Sequence, residues 1–215
     1  MAVDISKYHQ IREELAAEGA TLVAVSKTKP LADIQELYDL GQRDFGENYV
    51  QELVEKQAQL PADIRWHFIG HLQSNKVRYI APFVHQIHGV DSAKLLREIS
   101  KQGQKAGRTI DALLQVHIAR EETKFGLDAD ELAGILNGAP EPNVRIRGLM
   151  GMASFSDDQS LVRSEFSSLS GLFKQYRDRP NFDSLSMGMS GDYRIALEEG
   201  SNLVRIGSLL FGSRN

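Results

Sequence analysis

The chain has 215 residues, 41% hydrophobic and 25% charged, a balance that fits a soluble globular protein and excludes disorder, collagen and coiled coil. Its 25 Lys and Arg against 29 Asp and Glu give a formal charge of −4, without the basic footprint that nucleic acid requires; the lack of cysteine excludes disulfide scaffolds, thiolate zinc sites and cysteine nucleophiles. Met1 to Leu15 is charged throughout with no apolar h-region, and no apolar run approaches the roughly 18 residues of a membrane helix, so a cytoplasmic protein without membrane contact is expected.

In chain order, a helix is predicted over Ile5–Ala17, then a strand at Leu22–Ser26, a helix over Leu31–Leu40 and a strand at Arg43–Phe45. Helix Tyr49–Gln59, strand Trp66–Ile69, helix Asn75–Phe83 and strand Gln86–Val90 follow. Helix Ser92–Ala106 leads to strand Ala112–His117, and helix Asp130–Asn137 to strand Ile146–Met150. Helix Gln159–Tyr176, strand Ser184–Met187, helix Asp192–Glu199 and strand Leu203–Ile206 complete the series. Regular alternation implies crossovers and a parallel sheet covered by helices. After the first strand the chain reads Ser26-Lys27-Thr28-Lys29-Pro30, with no Gly-rich dinucleotide fingerprint, which removes the best support for an open Rossmann sheet. Eight units close naturally into a (β/α)8 barrel of the TIM type, although the chain is short beside the typical size of about 250 residues. Asn137 to Pro142 is a turn-rich loop rather than a boundary, so residues 1–215 are expected to form one α/β barrel domain.

Functional residues of such a barrel lie in the loops that follow its strands. The candidates are Lys27, Gly46-Glu47-Asn48-Tyr49, Gly70 to Lys76, Gly188 to Asp192, and Arg205-Ile206-Gly207-Ser208. Loops after the seventh and eighth strands often build a phosphate site. Ser190 stands where an N-cap is expected, and the positive end of the following helix suits a phosphate. Gly207 permits close backbone approach. Each has a plainer reading: Ser190 caps and Gly207 turns.

Lys27 shares the parity of Val23 and Val25 and so their face, at the barrel mouth. One reading makes it a solvated or paired surface charge. The other makes it an amine in a partly desolvated pocket, able to attack a carbonyl. A lysine opposite a phosphate cradle suits a phosphorylated aldehyde, of which pyridoxal phosphate is the obvious one. His67, His71, His85, His88 and His117 are scattered without a helical metal pair, so core or surface histidines are expected and no metal site. Asp192 breaks the frame of a nucleophile elbow at Gly188-Met189-Ser190-Gly191. Glu121-Glu122 and Glu198-Glu199 read as solvated carboxylates.

Taken together, Val23 to Pro30, Phe45 to Glu52, Trp66 to Lys76, Gly148-Leu149-Met150, Ser186 to Ser190 and Val204 to Gly207 resemble the YggS/PROSC-type pyridoxal phosphate homeostasis family. The likeness runs from Leu22 to Gly212. It implies the barrel of the alanine racemase N-terminal domain (fold type III) and pyridoxal 5′-phosphate as a Schiff base on Lys27. It further implies a phosphate held by Ser190, Gly207 and Ser208, Arg205 facing the pyridine nitrogen, and Asn48 at the cofactor. His117 stands where the family often has Asn, and Asn202 where Thr is common. From the family come vitamin B6 homeostasis and apoenzymes dependent on pyridoxal phosphate as expected partners; a monomer is expected.

Two functions compete, a cofactor carrier and a racemase-like enzyme. A racemase needs an acid–base group on the opposite face of the cofactor, supplied in the relatives by a separate β domain. The chain ends at Asn215, just past the eighth strand, so no such domain is expected here. Guanidinium has only donors and bonds an unprotonated ring nitrogen, which weakens the electron sink. The carrier is the expected function, without catalytic residues.

Overall fold

In the computed structural model, which describes residues 3–121 and 125–212, all eight predicted strands form. They are β1 (Thr21–Val25), β2 (Asp44–Glu47), β3 (Arg65–Phe68), β4 (Gln86–Val90), β5 (Ile110–Gln115), β6 (Val144–Met150), β7 (Ser184–Ser186) and β8 (Leu203–Ile206). All pairs are parallel, each strand lies beside its sequence neighbour, and β8 returns to β1, so the barrel is closed. Closure leaves no sheet edge to protect.

The helices are α1 (Ile5–Ala17), α2 (Leu31–Asp39), α3 (Val50–Gln57), α4 (Val77–Ile80), α5 (Ala93–Lys105), α6 (Ala129–Asn137), α7 (Gln159–Tyr176), α8 (Tyr193–Glu198) and α9 (Ser208–Phe211). Local chemistry starts several of them. Asp4 accepts from Lys7 N at the head of α1, Ser92 from Leu95 N at α5, and Asp128 and Glu131 form a capping box at α6, satisfying N–H groups that a helix start leaves open. The single helix predicted over Asn75–Phe83 is instead a 3-10 turn (Ser74–Lys76) followed by α4. Pro82 lacks the N–H needed to continue it. The short α9 was not predicted.

Strand alternation divides the interior. Leu22, Ala24, Phe45, Trp66, Ile87, Ala112, Leu114, Leu149, Val204 and Ile206 pack outward in the large core that includes the helices, whereas Val23, Leu113, Met150 and Leu203 form a separate cluster on the opposite parity. Gly188 has φ +93°, and a Cβ there would sit 2.6 Å from Ala196 Cβ, so a glycine lets α8 press against the end of β7. No helix among the described residues is long and apolar enough to cross a membrane.

Candidate functional site

At the C-terminal ends of the strands opens a cavity of about 740 Å³. It is lined by Val25, Lys27, Thr28 and Lys29 after β1, Asn48 after β2, Ile69, Met152 and Phe155, Met189 to Gly191 after β7, and Arg205, Gly207, Ser208 and Gly212. Lys27, Asn48, Ser190, Arg205, Gly207 and Ser208, predicted from four separate stretches of sequence, thus meet in one place. Val25 and Lys27 line it together, as their parity requires.

The loop that carries Lys27 is held on both sides. Before it, Ser26 Oγ donates to Glu47 Oε1 at 2.5 Å, and Ser26 O accepts from Lys56 Nζ at 2.7 Å. After it, Thr28, with φ +64°, donates its N–H to Glu52 Oε1 at 2.6 Å. Lys56 Nζ also binds Glu47 at 2.8 Å and Glu52 at 2.7 Å. Burial pushes the Glu47 carboxyl up, and the Lys56 ammonium opposes it. Lys29, two residues on, donates to Phe211 O at 2.7 Å. These supports come from Glu47 to Lys56, a stretch whose helical spacing alone gave no hint of a role at Lys27.

Ser190 is not the helix cap. Asp192 occupies the position before α8, and its Oδ1 accepts from Met189 N at 2.6 Å. Ser190 Oγ instead accepts the Gly207 N–H at 3.3 Å, joining the loops after β7 and β8. A Cβ on Gly207 would lie 3.3 Å from both Val25 Cβ and Val25 O, so this glycine lets the start of α9 approach β1. Asn48 Oδ1 is buried with no partner among the described residues. Arg205 is 4% exposed; Nη1 donates to Ser186 Oγ at 2.5 Å and Nη2 to Gly151 O at 3.1 Å. Burial lowers it to about 10, still a cation at neutral pH.

The histidines are less scattered than their spacing suggests. His67 Nε2 lies 3.0 Å from Asp44 Oδ1 and His67 Nδ1 2.9 Å from His88 Nε2, all buried. His85 stacks edge-on to His67 at 5.2 Å, and Asp44, His67 and His85 bring possible ligand atoms within 4.8 Å of one another. Arg65 already engages both Asp44 oxygens, at 2.7 and 2.5 Å, so this group is complete as an ion-pair cluster. His71 binds Asp91 at 2.9 Å, and His117 bonds Glu121 O at 2.9 Å. Asn202 ties β7 to β8 through Leu185 N and Asp183 O; neither it nor His117 lines the cavity. The paired glutamates are not simply solvated. Glu121 accepts from Phe155 N at 3.0 Å, while Glu198 and Glu199 bind Arg163; Glu122 lies outside the described residues.

The model of the alanine racemase N-terminal domain family matches residues 6–215. A pyridoxal phosphate homeostasis protein of Pseudomonas aeruginosa is 41% identical, covering 96% of this chain and 92% of its own length. The protein of that name from Escherichia coli is 37% identical, covering 96% and 94%. The structure of PipY from Synechococcus elongatus with PLP bound superposes with a TM-score of 0.86 at 36% identity, over 96% of this chain and 99% of PipY. An alanine racemase from Bartonella henselae shares the fold, with a TM-score of 0.72 at 19% identity over 97% of this chain and 59% of that one. With near-complete coverage on both sides, the chain belongs to the pyridoxal phosphate homeostasis proteins, built on a barrel of the alanine racemase N-terminal domain type.

Proposed function

We propose that this protein holds pyridoxal 5′-phosphate (PLP) in the barrel mouth, covalently attached through Lys27, as a cytoplasmic, monomeric carrier in vitamin B6 homeostasis that passes its cofactor to apoenzymes. The observation that carries this reading is the convergence of Lys27, Asn48, Ser190, Arg205, Gly207 and Ser208 on one cavity of about 740 Å³. That volume lies within the roughly 300–1,000 Å³ of small-molecule sites. The names of the relatives and the PLP bound to PipY support the same cofactor.

The donor set fits. Lys27 offers an amine, and the backbone at Gly207 and Ser208 with the Ser190 hydroxyl offers hydrogen bonds to a phosphate. Arg205, held charged, can only donate, which suits an unprotonated ring nitrogen. Asn48 Oδ1 is a buried acceptor that a ligand could satisfy. When bound, the cofactor supplies an aldehyde for attachment and a conjugated ring. The chain's own residues would hold it, and Ile69 and Met152 supply apolar lining beside them.

Holding rather than turnover is favoured by the lining. Proton transfer on both faces of the ring needs an acid–base group on each. The titratable side chains among the described lining residues are Lys27, Lys29 and Arg205, and Lys29 is bonded to Phe211 O. The test is deuterium entry at Cα of alanine in heavy water, with free PLP as control, beside activation of a PLP-dependent apoenzyme by the loaded protein. Exchange no faster than the control together with apoenzyme activation is expected. Exchange well above the control, lost in Lys27→Ala, would show a racemase-like enzyme instead.

A further inference from the structure

Arg205 is a buried cation whose direct acceptors, Ser186 Oγ and Gly151 O, carry no charge. Asp192, in the loop before α8, is a carboxylate that supports its charge, and a buried cation is costly to hold without counter-charge. A continuous line of hydrogen bonds leads from Arg205 to a second carboxylate. Ser186 Oγ on β7 lies 3.2 Å from His88 Nδ1 on β4, across the barrel interior. His88 Nε2 lies 2.9 Å from His67 Nδ1 on β3, and His67 Nε2 lies 3.0 Å from Asp44 Oδ1 at the start of β2. The line therefore climbs from the floor of the barrel to its mouth. Ser186 and His88 are fully buried, and His67 is 2% exposed.

Proton counting gives the line a direction. Burial works to raise the Asp44 carboxyl, but hydrogen bonds from His67 and Arg65 outweigh it and keep it ionised. Burial, with the Arg205 cation nearby, keeps His88 neutral. Arginine can only donate and a carboxylate can only accept. We take one proton each on Ser186, His88 and His67, so that three protons serve the three links between Arg205's acceptor and Asp44. Only one assignment fills every link: His67 donates from Nε2 to Asp44, His88 from Nε2 to His67, and Ser186 from its hydroxyl to His88. Ser186 Oγ then keeps its lone pairs for Arg205. The opposite direction would require a donor at Asp44.

We infer that His67, His88 and Ser186 form a one-way relay through which Asp44, on the barrel floor, acts as a second, remote counter-charge of Arg205 and sets its orientation toward the cofactor's ring nitrogen. All four are positioning residues, none of them in the cavity lining. Hydrogen bonds in such a line polarise one another, so a change at Asp44 is felt at Arg205. The link to the cofactor rests on the PLP reading proposed above, whereas the relay itself is a property of the protein alone.

The experiment therefore has two arms. Histidine side-chain nitrogens of 15N-labelled protein are observed near neutral pH, first alone and then with added PLP, in the parent, Asp44→Asn and Ser186→Ala. The inference expects both His67 and His88 as Nε2–H tautomers in the parent, and a changed His88 pattern in Asp44→Asn although the two residues do not touch. In the loaded proteins, both variants should shift the absorption maximum of the bound cofactor, and Ser186→Thr, which restores the hydroxyl, should return it. A parent with Nδ1–H on either ring overturns the relay, whether or not PLP binds. Parent-like absorption in both variants overturns its effect on the cofactor. A protein that shows the expected tautomers but takes up no PLP upholds the relay and contradicts the cofactor proposal alone.

Discussion

Ser26 Oγ donates to Glu47 Oε1 at 2.5 Å, tying the residue before Lys27 to the end of β2. Glu47 is fully buried and Lys56, its ionic partner, is 5% exposed, so this is a buried ion pair. Removing one member of such a pair costs about 3–5 kcal/mol because the other is left uncompensated. Lys56→Met should lower unfolding stability by that order in denaturant titration. The double variant Glu47→Gln with Lys56→Met should recover much of the loss. A double variant no more stable than Lys56→Met would show that the pair is not the unit.

A second expectation concerns acid. Burial first, then the Arg205 cation, hold His88 well below its ordinary 6.5; partial burial of its ring lowers His85 to about 4. As pH falls below about 6.5 the unfolded rings take up protons that the folded rings refuse, so unfolding gains protons and stability declines. Their contribution is complete above that pH and drops by up to roughly 1.4 kcal/mol per pH unit for the buried His88, and by less for the exposed His85, where solvent screens the effect. Unfolding free energies measured at neutral pH and at pH near 5 should show this fall, and His85→Gln should reduce its slope. An unchanged slope in that variant would remove His85 from the account.

The phosphate cradle is separable from the covalent bond. Ser190→Ala removes the acceptor of the Gly207 N–H but leaves that backbone donor in place, so PLP affinity should weaken toward the low end of the about ten- to hundredfold expected for one lost charge-assisted hydrogen bond. Gly207→Val should weaken it more, since its side chain meets Val25 at the tight approach of α9 to β1. Equilibrium dialysis decides: parent-like retention in both variants would place the phosphate elsewhere.

The barrel was legible because each strand is a short apolar run and each long helix carries its own period and cap. The line of six cavity residues was legible for a related reason, since closure brings every strand-end loop to one mouth. Three features were not. The early end of the helix predicted over Asn75–Phe83 turns on Pro82, which cannot continue α4. Ser190 resembled a cap because Ser and Asp both favour that position, and the backbone gave it to Asp192. The Asp44–His67–His88–Ser186–Arg205 line draws on β2, β3, β4, β7 and β8, so its members become neighbours only once the sheet closes and inward parity is shared.

The central claim is that PLP is held on Lys27, in a cavity where Lys29 is also present. Borohydride reduction of the PLP-loaded protein, followed by peptide mapping, tests it most directly. The label is expected on Lys27 alone, with Lys27→Ala left unlabelled, because the Ser26 and Thr28 clamps aim that side chain into the mouth while Lys29 is tied to Phe211 O. A label on Lys29 or Lys76 in the parent protein would contradict it.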